Sequence, residues 1–182
     1  MKGVVFREFI ALVEETYGLE KLEGLMSACA LHSQGAYTAV GSYDHQELMS
    51  MVSKLSDTEN ITPKKVLVMF GRYIHHTFLE QYSAFFKDQD TFSFLKSIDS
   101  HIHVEVIKLY PDAELPKFEY NQEDSNTLAL HYKSTRPFAD LAEGLILQTI
   151  EHFGESISLQ QCGEGTDFDR VFTLIKARKP DG

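Results

Sequence analysis

Residues 99–109 have the sequence DSHIHVEVIKL, in the middle of a longer segment, 92–110, with a helical period. Apolar residues recur there at three- and four-residue spacing, at Leu95, Ile98, Ile102, Val106 and Leu109. This spacing predicts one helix with a single buried stripe. His103 lies one position off the stripe, in line with Asp99 and Val106, where an imidazole can lean into an interior cavity.

An imidazole in that position can bind a metal ion through one ring nitrogen while a neighbour holds the N–H of the other. The alternative is a partly exposed histidine with one hydrogen bond, which is the commoner situation for a single histidine. Other histidines fit a metal site less well. His101 should face another side of the predicted helix. His75 and His76 are adjacent on a helix and point about 100° apart, so we expect both to be mostly solvated.

The composition is that of an ordinary globular domain. The chain has 182 residues, of which 43% are hydrophobic, and it contains 13 Phe, 8 Tyr and no Trp. Such a phenylalanine-rich interior can enclose a large, flat, apolar ligand. The formal net charge of −10 argues against nucleic acid or an anionic membrane as partner, because both attract clustered Lys and Arg.

The sequence also predicts the cell compartment. It has neither the apolar core of a signal peptide nor a run of about 20 apolar residues that could span a bilayer. Its two cysteines, Cys29 and Cys162, are too few for a disulfide framework. We therefore expect reduced thiols and a cytoplasmic protein.

The periodicity changes along the chain from helical to alternating. Helical patterns fill the first part, with starts at Asp44, where Glu47 completes a capping box, and at Thr62-Pro63. Alternating patterns follow, and a helix separates the second predicted strand from the third. The predicted strands are 118–120, 127–132, 156–160 and 171–175, with a turn at Gly163, Gly165 and Asp167 between the last two. Helices followed by a sheet predict an α+β fold.

The second candidate motif is Tyr132-Lys133-Ser134-Thr135-Arg136, a Tyr-x-Ser-x-Arg pattern. A guanidinium offers a planar, bidentate match to a carboxylate, and the two hydroxyls add directed bonds. Residues two apart in a strand point to the same side, so Tyr132, Ser134 and Arg136 should converge on one anion. The pattern alone is weak, because such triplets occur by chance.

Together with His103, with Pro116 between the two motifs and with Met1-Lys2-Gly3 at the start, the pattern resembles the haem-nitric oxide/oxygen binding (H-NOX) family. These domains are bacterial relatives of the haem domain of soluble guanylate cyclase. The resemblance spans essentially the whole chain and implies a single sensor domain, 1–182. A distal helical part, about 1–60, and a proximal helix–sheet part, about 61–182, would enclose the haem.

The resemblance also implies roles for individual residues. His103 would ligate the iron of haem b (iron protoporphyrin IX). Tyr132, Ser134 and Arg136 would hold its propionates, and Pro116 would press the macrocycle out of plane. Some related bacterial domains carry a cysteine-rich zinc site near the C-terminus. Because only Cys162 remains of it here, we expect no structural zinc.

The distal pocket decides which gas is held. Relatives that bind dioxygen stably place a tyrosine five residues after the motif arginine, where this chain has Leu141. The other expected wall residues are apolar as well, namely Val5, Phe9, Ile74, Phe78 and Leu145. We therefore expect a pocket that binds nitric oxide and carbon monoxide and excludes dioxygen.

Two functions from different classes remain open. The first is a haem-based nitric oxide sensor without chemistry of its own, which signals by release of His103 to a separate partner. The resemblance suggests a histidine kinase or a cyclic-di-GMP enzyme as that partner. The second is an enzyme, either a small haem redox protein or a metal hydrolase that uses the histidines, and a related alternative is a gas-scavenging haem protein without a signalling role. We expect no enzyme activity, because peroxidase-like work needs a distal acid–base group and the expected wall offers none.

Overall fold

The computed structural model describes residues 1–122, 124–162 and 165–177. This part of the chain contains eight α-helices, one π-helical turn and four β-strands. Helices α1 to α8 span Gly3–Tyr17, Leu19–Ala28, His45–Glu59, Pro63–Gln81, Ser83–Phe86, Thr91–Ser97, His103–Leu109 and Ala139–Phe153. Strands β1 to β4 span Lys117–Gln122, Thr127–Lys133, Ile157–Cys162 and Asp169–Lys176. The predicted α+β class is confirmed. No helix in the described ranges combines the length and hydrophobicity needed to cross a bilayer.

The four strands form one antiparallel sheet in the order β1-β2-β4-β3. Strand β2 is central, and its buried residues Leu128, Leu130 and Tyr132 alternate as a half-buried strand requires. Tyr132 faces Phe118 on β1 and Arg170 on β4. The sheet thus brings the predicted motif strand into the interior of the molecule. Gly163 of the predicted turn lies outside the described residues.

The two helix starts predicted from the sequence are capped by the expected side chains, but the capping box is not formed. The Asp44 side chain accepts from Gln46 N at 2.9 Å, and the Thr62 side chain accepts from Lys65 N at 3.2 Å. The predicted capping-box role of Glu47 is wrong. Its carboxylate is buried and accepts hydrogen bonds from Ser33 Oγ at 2.6 Å and Tyr37 Oη at 2.7 Å. Glu47 therefore anchors the loop before α3 instead of its own helix end.

Buried apolar side chains form two clusters. One is built mainly from α1 to α4, and the other from α6, α8 and the sheet. Helices α4 and α8 cross with backbone contact at Gly71 and Gly144. A Cβ on Gly71 would lie 2.1 Å from Leu141 O, and one on Gly144 would lie 2.2 Å from Val68 O. Glycine at both positions is what lets the two backbones meet.

The segment 92–110 is helical, but it is not the single α-helix that its spacing predicts. A π-helical turn, Ile98–Ile102, separates α6 from α7. A turn closed by i→i+5 bonds holds one extra residue. Everything beyond it is therefore rotated by roughly 100° relative to a continuous α-helix. This rotation explains why Leu109, which was predicted to be buried, is 63% exposed.

Candidate functional site

A cavity of about 280 Å³ lies between the helical part and the sheet. Every residue proposed from the sequence lines it except Phe9. The lining includes Val5, Ile74, Phe78, His103, Pro116, Tyr132, Ser134, Arg136, Leu141 and Leu145. Phe9 is fully buried beside α4, where its ring packs edge-on against Phe70 with centroids 5.2 Å apart. It is a core residue behind the cavity, which corrects the expected wall position.

His103 begins α7, directly after the π-helical turn, and its side chain is 18% exposed. Its Nδ1 lies 2.8 Å from Asp99 Oδ1. Burial lowers the pKa of the imidazole, and the charge and hydrogen bond of Asp99 oppose that shift. A bond from Nδ1–H to a carboxylate leaves Nε2 with the lone pair that a metal ion needs.

The motif residues reach the cavity differently from the way the strand period predicts. Strand β2 ends at Lys133, so Ser134 and Arg136 lie in the bend that follows it. Ser134 N donates to Phe168 O at 2.8 Å, and Arg136 N donates to Ser134 Oγ at 3.1 Å. The hydroxyl and the guanidinium are therefore brought together by a bend, and strand alternation is the wrong reason for their convergence.

Arg136 already binds a carboxylate. Its Nη2 donates to Glu114 Oε2 at 2.7 Å and its Nη1 to Glu114 O at 3.1 Å. Glu114 is largely exposed, whereas the Arg136 side chain is 17% exposed. The guanidinium thus sits at the cavity rim with its donors directed at acidic oxygen, which is the chemistry that a propionate requires.

Tyr132 is the innermost member of the motif, with 2% of its surface exposed. Burial raises the pKa of its hydroxyl, and hydrogen bonds with Ser134 and the backbone of Phe138 oppose the shift. A hydroxyl with a raised pKa stays protonated at neutral pH and remains a donor.

The wall formed by α1, α4 and α8 is mostly apolar. Ile74 and Phe78 extend from α4, Leu141 and Leu145 from α8, and Val5 from α1. Tyr73 turns away from the cavity, and its hydroxyl donates to Glu15 Oε1 at 2.8 Å. Leu141 occupies the position at which the family resemblance placed the decisive side chain.

His75 is the functional candidate that sequence reasoning missed. It was expected to be solvated and to point away from Ile74, yet it is 3% exposed and lines the cavity. Its Nε2 is buried without a hydrogen-bond partner in the structure. Phe86 packs against the ring at 5.4 Å between centroids, with His152 at 5.8 Å. Burial lowers the pKa of His75 to about 4, so the imidazole is neutral at neutral pH.

The residues present fit a haem. The cavity offers one imidazole whose Nδ1 is held, a cluster of Tyr, Ser and Arg donors at its rim, and apolar helical walls. The buried, unpaired Nε2 of His75 also calls for a polar or metal-bearing occupant. Elsewhere in the described residues, no group of three or more His, Cys, Asp or Glu side chains is arranged to hold a metal ion. The zinc expectation at Cys162 depends on side chains outside the described part.

Comparisons with known proteins agree with this fit. A family model described as Haem-NO-binding matches residues 2–161. The structure is similar to the Fe(II) unliganded H-NOX protein from K. algicida, with 32% sequence identity, 98% of each chain covered and a TM-score of 0.91. It is also similar to the IWP-051-bound, Fe(II)CO form of the H-NOX from Shewanella woodyi, with 39% identity, 100% of this chain and 97% of that chain covered, and a TM-score of 0.83.

A third similar structure is that of an H-NOX protein from S. oneidensis in the Fe(II)NO ligation state. It shares 26% sequence identity, covers 98% of this chain and 100% of its own, and has a TM-score of 0.88. No curated protein matches the chain.

Proposed function

The chain belongs to the haem-NO-binding (H-NOX) family, and on that premise we propose that it is a cytoplasmic, haem-based nitric oxide sensor that acts on a separate partner protein. Haem b would fill the cavity, with His103 as its iron ligand. The observation that carries the proposal is that His103, held by Asp99, and the Tyr132, Ser134 and Arg136 donors line one cavity. Once bound, the haem would supply a ferrous iron that can coordinate nitric oxide or carbon monoxide. Nitric oxide would weaken the bond between this iron and His103.

The surrounding residues hold and orient that group. Arg136 would donate to a propionate, either in place of the Glu114 carboxylate or in addition to it. Tyr132 and Ser134 would donate to the propionates from the end of β2. Pro116 lies between α7 and β1 on the cavity wall and would press on the macrocycle. None of these roles requires an acid–base or nucleophilic group, which is consistent with a sensor.

Discrimination between gases would come from the apolar wall. A bound dioxygen carries negative charge on its outer atom and gains from a donated hydrogen bond, whereas nitric oxide does not need one. A bond to a charged group is worth roughly 1.5–3 kcal/mol, and about 1.4 kcal/mol corresponds to tenfold in affinity. Leu141 supplies no such donor, so we propose that the protein excludes dioxygen.

Signalling would use the segment that carries His103, namely the π-helical turn and α7, once His103 leaves the iron. Neither the π-helical turn nor α7 contains a fully buried residue, so little packing opposes a shift once His103 is released. Such a shift is a two-state change that a ligand can bias, as a switch requires. We propose a histidine kinase or a cyclic-di-GMP enzyme as the partner that reads it.

The test is an absorption spectrum of the reduced protein before and after addition of nitric oxide. Before nitric oxide is added, we expect a Soret band at the position typical of a histidine-ligated haem. After nitric oxide is added, the band should move to the position typical of a haem that has lost its histidine ligand. Pro116→Ala should shift the starting spectrum partly, because it relieves pressure on the macrocycle. A Soret band that keeps the histidine ligand after nitric oxide binds would favour a gas-scavenging protein.

Gas selectivity has its own test, the spectrum of the reduced protein in air. The wild type should form no stable oxygen complex, and Leu141→Tyr should gain one by placing a hydroxyl in the pocket. His75→Leu is the companion variant, because His75 is the unpaired imidazole on the cavity wall. An oxygen complex present in the wild type and lost in His75→Leu would identify His75 as a donor and contradict the proposed exclusion.

A further inference from the structure

Asp99 is joined to two different parts of the site. Its Oδ1 lies 2.8 Å from His103 Nδ1, and its Oδ2 accepts from Phe118 N at 3.0 Å. The carboxylate therefore uses one oxygen on the helical segment and the other on strand β1. Each oxygen accepts a hydrogen bond from an N–H group, so both bonds of the carboxylate are charge-assisted.

Phe118 connects this carboxylate to the motif. It is the direct antiparallel partner of Tyr132, and the two rings lie 5.6 Å apart in an edge-on arrangement. The Phe118 ring also lies 6.1 Å from the His103 imidazole. His103 and Tyr132 are thus held in one frame, in which Asp99 supplies the polar link and Phe118 supplies the apolar one.

The π-helical turn bears on the direction of the Asp99 side chain. Asp99 lies inside this turn, Ile98–Ile102, and His103 is the first residue after it. The wider turn changes the direction in which side chains leave the helix, and such turns are frequent at functional sites. Asp99 and His103 are four positions apart, a spacing at which helical side chains can meet, and the same carboxylate also reaches a neighbouring strand.

We propose that Asp99 is a positioning residue that sets the strength of the bond between His103 and the haem iron. The inference rests on the proposed function, since it assigns a regulator to the same site. A carboxylate that accepts from the distant N–H of a metal-bound imidazole fixes the tautomer and the ring orientation, and it raises the basicity of the ligand. Asp99 thereby sets how readily His103 is released, and it keeps the released imidazole tied to β1.

The test compares Asp99→Asn and Asp99→Ala with the wild type, with Glu105→Gln as the matched control. Glu105 is a carboxylate on the same helical segment, and its Oε1 accepts from Lys108 Nζ at 2.5 Å. The measurements on the reduced, haem-loaded proteins are the iron–histidine stretching frequency, the midpoint potential and the rate of haem transfer to apomyoglobin.

Asp99→Asn keeps an acceptor oxygen but loses the charge. We expect a lower iron–histidine frequency and a higher midpoint potential, because a less basic imidazole stabilises the oxidised iron less well. Asp99→Ala loses both bonds, and we expect haem transfer to accelerate about tenfold or more, the usual cost of removing a partner of a metal ligand. Glu105→Gln should match the wild type in all three measurements.

Frequencies and potentials for Asp99→Asn that equal those of the wild type would overturn the inference, whether or not Asp99→Ala folds. Failure of the inference differs from failure of the proposed function. If His103→Ala loses its haem while Asp99→Asn is unchanged, only the role of Asp99 is wrong. If His103→Ala retains its haem, the ligand assignment itself is wrong.

Discussion

Helix α4 and the helical segment 92–110 both line the cavity, but they are built in different ways. Helix α4 runs without interruption from Pro63 to Gln81, buries six residues and touches α8 through glycine. The other segment is firmly packed only in α6, which buries Phe92, Phe94 and Leu95, and neither the π-helical turn that follows nor α7 contains a buried residue. The cavity therefore lies between one wall fixed by packing and another that is loosely packed from residue 98 to residue 109.

This difference suits the two walls to different tasks. Local stability follows the density of buried apolar contacts, and segments that move in a switch come from the loosely packed end of that range. A wall that selects a ligand must keep its shape, whereas a wall that reports binding must be able to move. His103 belongs to the loosely packed segment, and Ile74 and Phe78 belong to the tightly packed one.

The largest expected effect is on the loosely packed wall. His103→Ala should yield protein with little haem, because the iron loses the one protein ligand proposed for it, and added imidazole should restore binding. The measurement is the ratio of Soret to protein absorbance after purification. His101→Ala is the matched control, since His101 is exposed and bonds only to Ser100 among the contacts described for it. Normal haem content in His103→Ala without imidazole would remove the basis of the comparison.

Next in size is Arg136, which belongs to neither wall but closes the cavity at the rim. Arg136→Ala should speed haem loss roughly ten- to a hundredfold, the equivalent of about 1.5–3 kcal/mol for a bond between charged groups. Arg136→Lys should restore part of the loss, because lysine keeps the charge but not the planar pair of donors. Haem transfer to apomyoglobin measures both rates. Equal rates in the wild type and Arg136→Ala would show that Arg136 holds Glu114 alone.

A smaller effect is expected on the tightly packed wall. Gly71→Ala should lower the free energy of unfolding by about 2 kcal/mol, because a Cβ meets backbone atoms that cannot move aside and overpacking costs roughly 1–3 kcal/mol. Gly24→Ala is the control. Gly24 lies inside α2, where a Cβ would meet nothing within 4 Å, so this change should stabilise by about 0.5–1 kcal/mol. Urea unfolding of both variants gives the two values. A neutral Gly71→Ala would show that the crossing can relax.

The smallest effect is a pH dependence that arises in the same wall. Burial lowers the pKa of His75 from 6.5 to about 4, so the unfolded chain binds a proton in this interval and the folded chain does not. The contribution of His75 to the free energy of unfolding is therefore fully present above pH 6.5, and it is lost as the pH drops toward 4. We expect His75 to contribute a loss of about 1 kcal/mol between pH 7 and pH 5.5.

His75→Phe should remove this part of the pH dependence, whereas His76→Phe, at the exposed neighbouring position, should keep it. Urea unfolding at the two pH values measures the difference. If His75→Phe and the wild type lose the same unfolding free energy between pH 7 and pH 5.5, His75 is protonated inside the fold.

The sequence predicted the elements that depend on local pattern. The α+β class, the start of α3 at Asp44, the start of α4 at Thr62 and the four strands all follow from periodicity and capping chemistry. The residues proposed for the site, apart from Phe9, line one cavity because the family pattern specifies their positions. Their functional roles remain predictions.

Three features could not be predicted, because each depends on contacts distant in sequence or on a change of helical period. Helical spacing assumes a constant rotation per residue, and the π-helical turn breaks that assumption before Leu109. His75 is buried because Phe86 and α8 cover it, which its own helix does not reveal. The Arg136 guanidinium pairs with Glu114, 22 residues earlier. A buried histidine beside an exposed one gives no signal in the sequence.

The backbone contact between Gly71 and Gly144 has a consequence for how such a protein can change over generations. It fixes the spacing of α4 and α8 by main-chain atoms, so the side chains of Ile74, Leu141 and Leu145 do not set the distance between their own helices. A substitution in the pocket can then alter the shape of the cavity without altering the frame around it. The pocket side chains can therefore vary one at a time, whereas a Cβ at either glycine would collide with main-chain atoms.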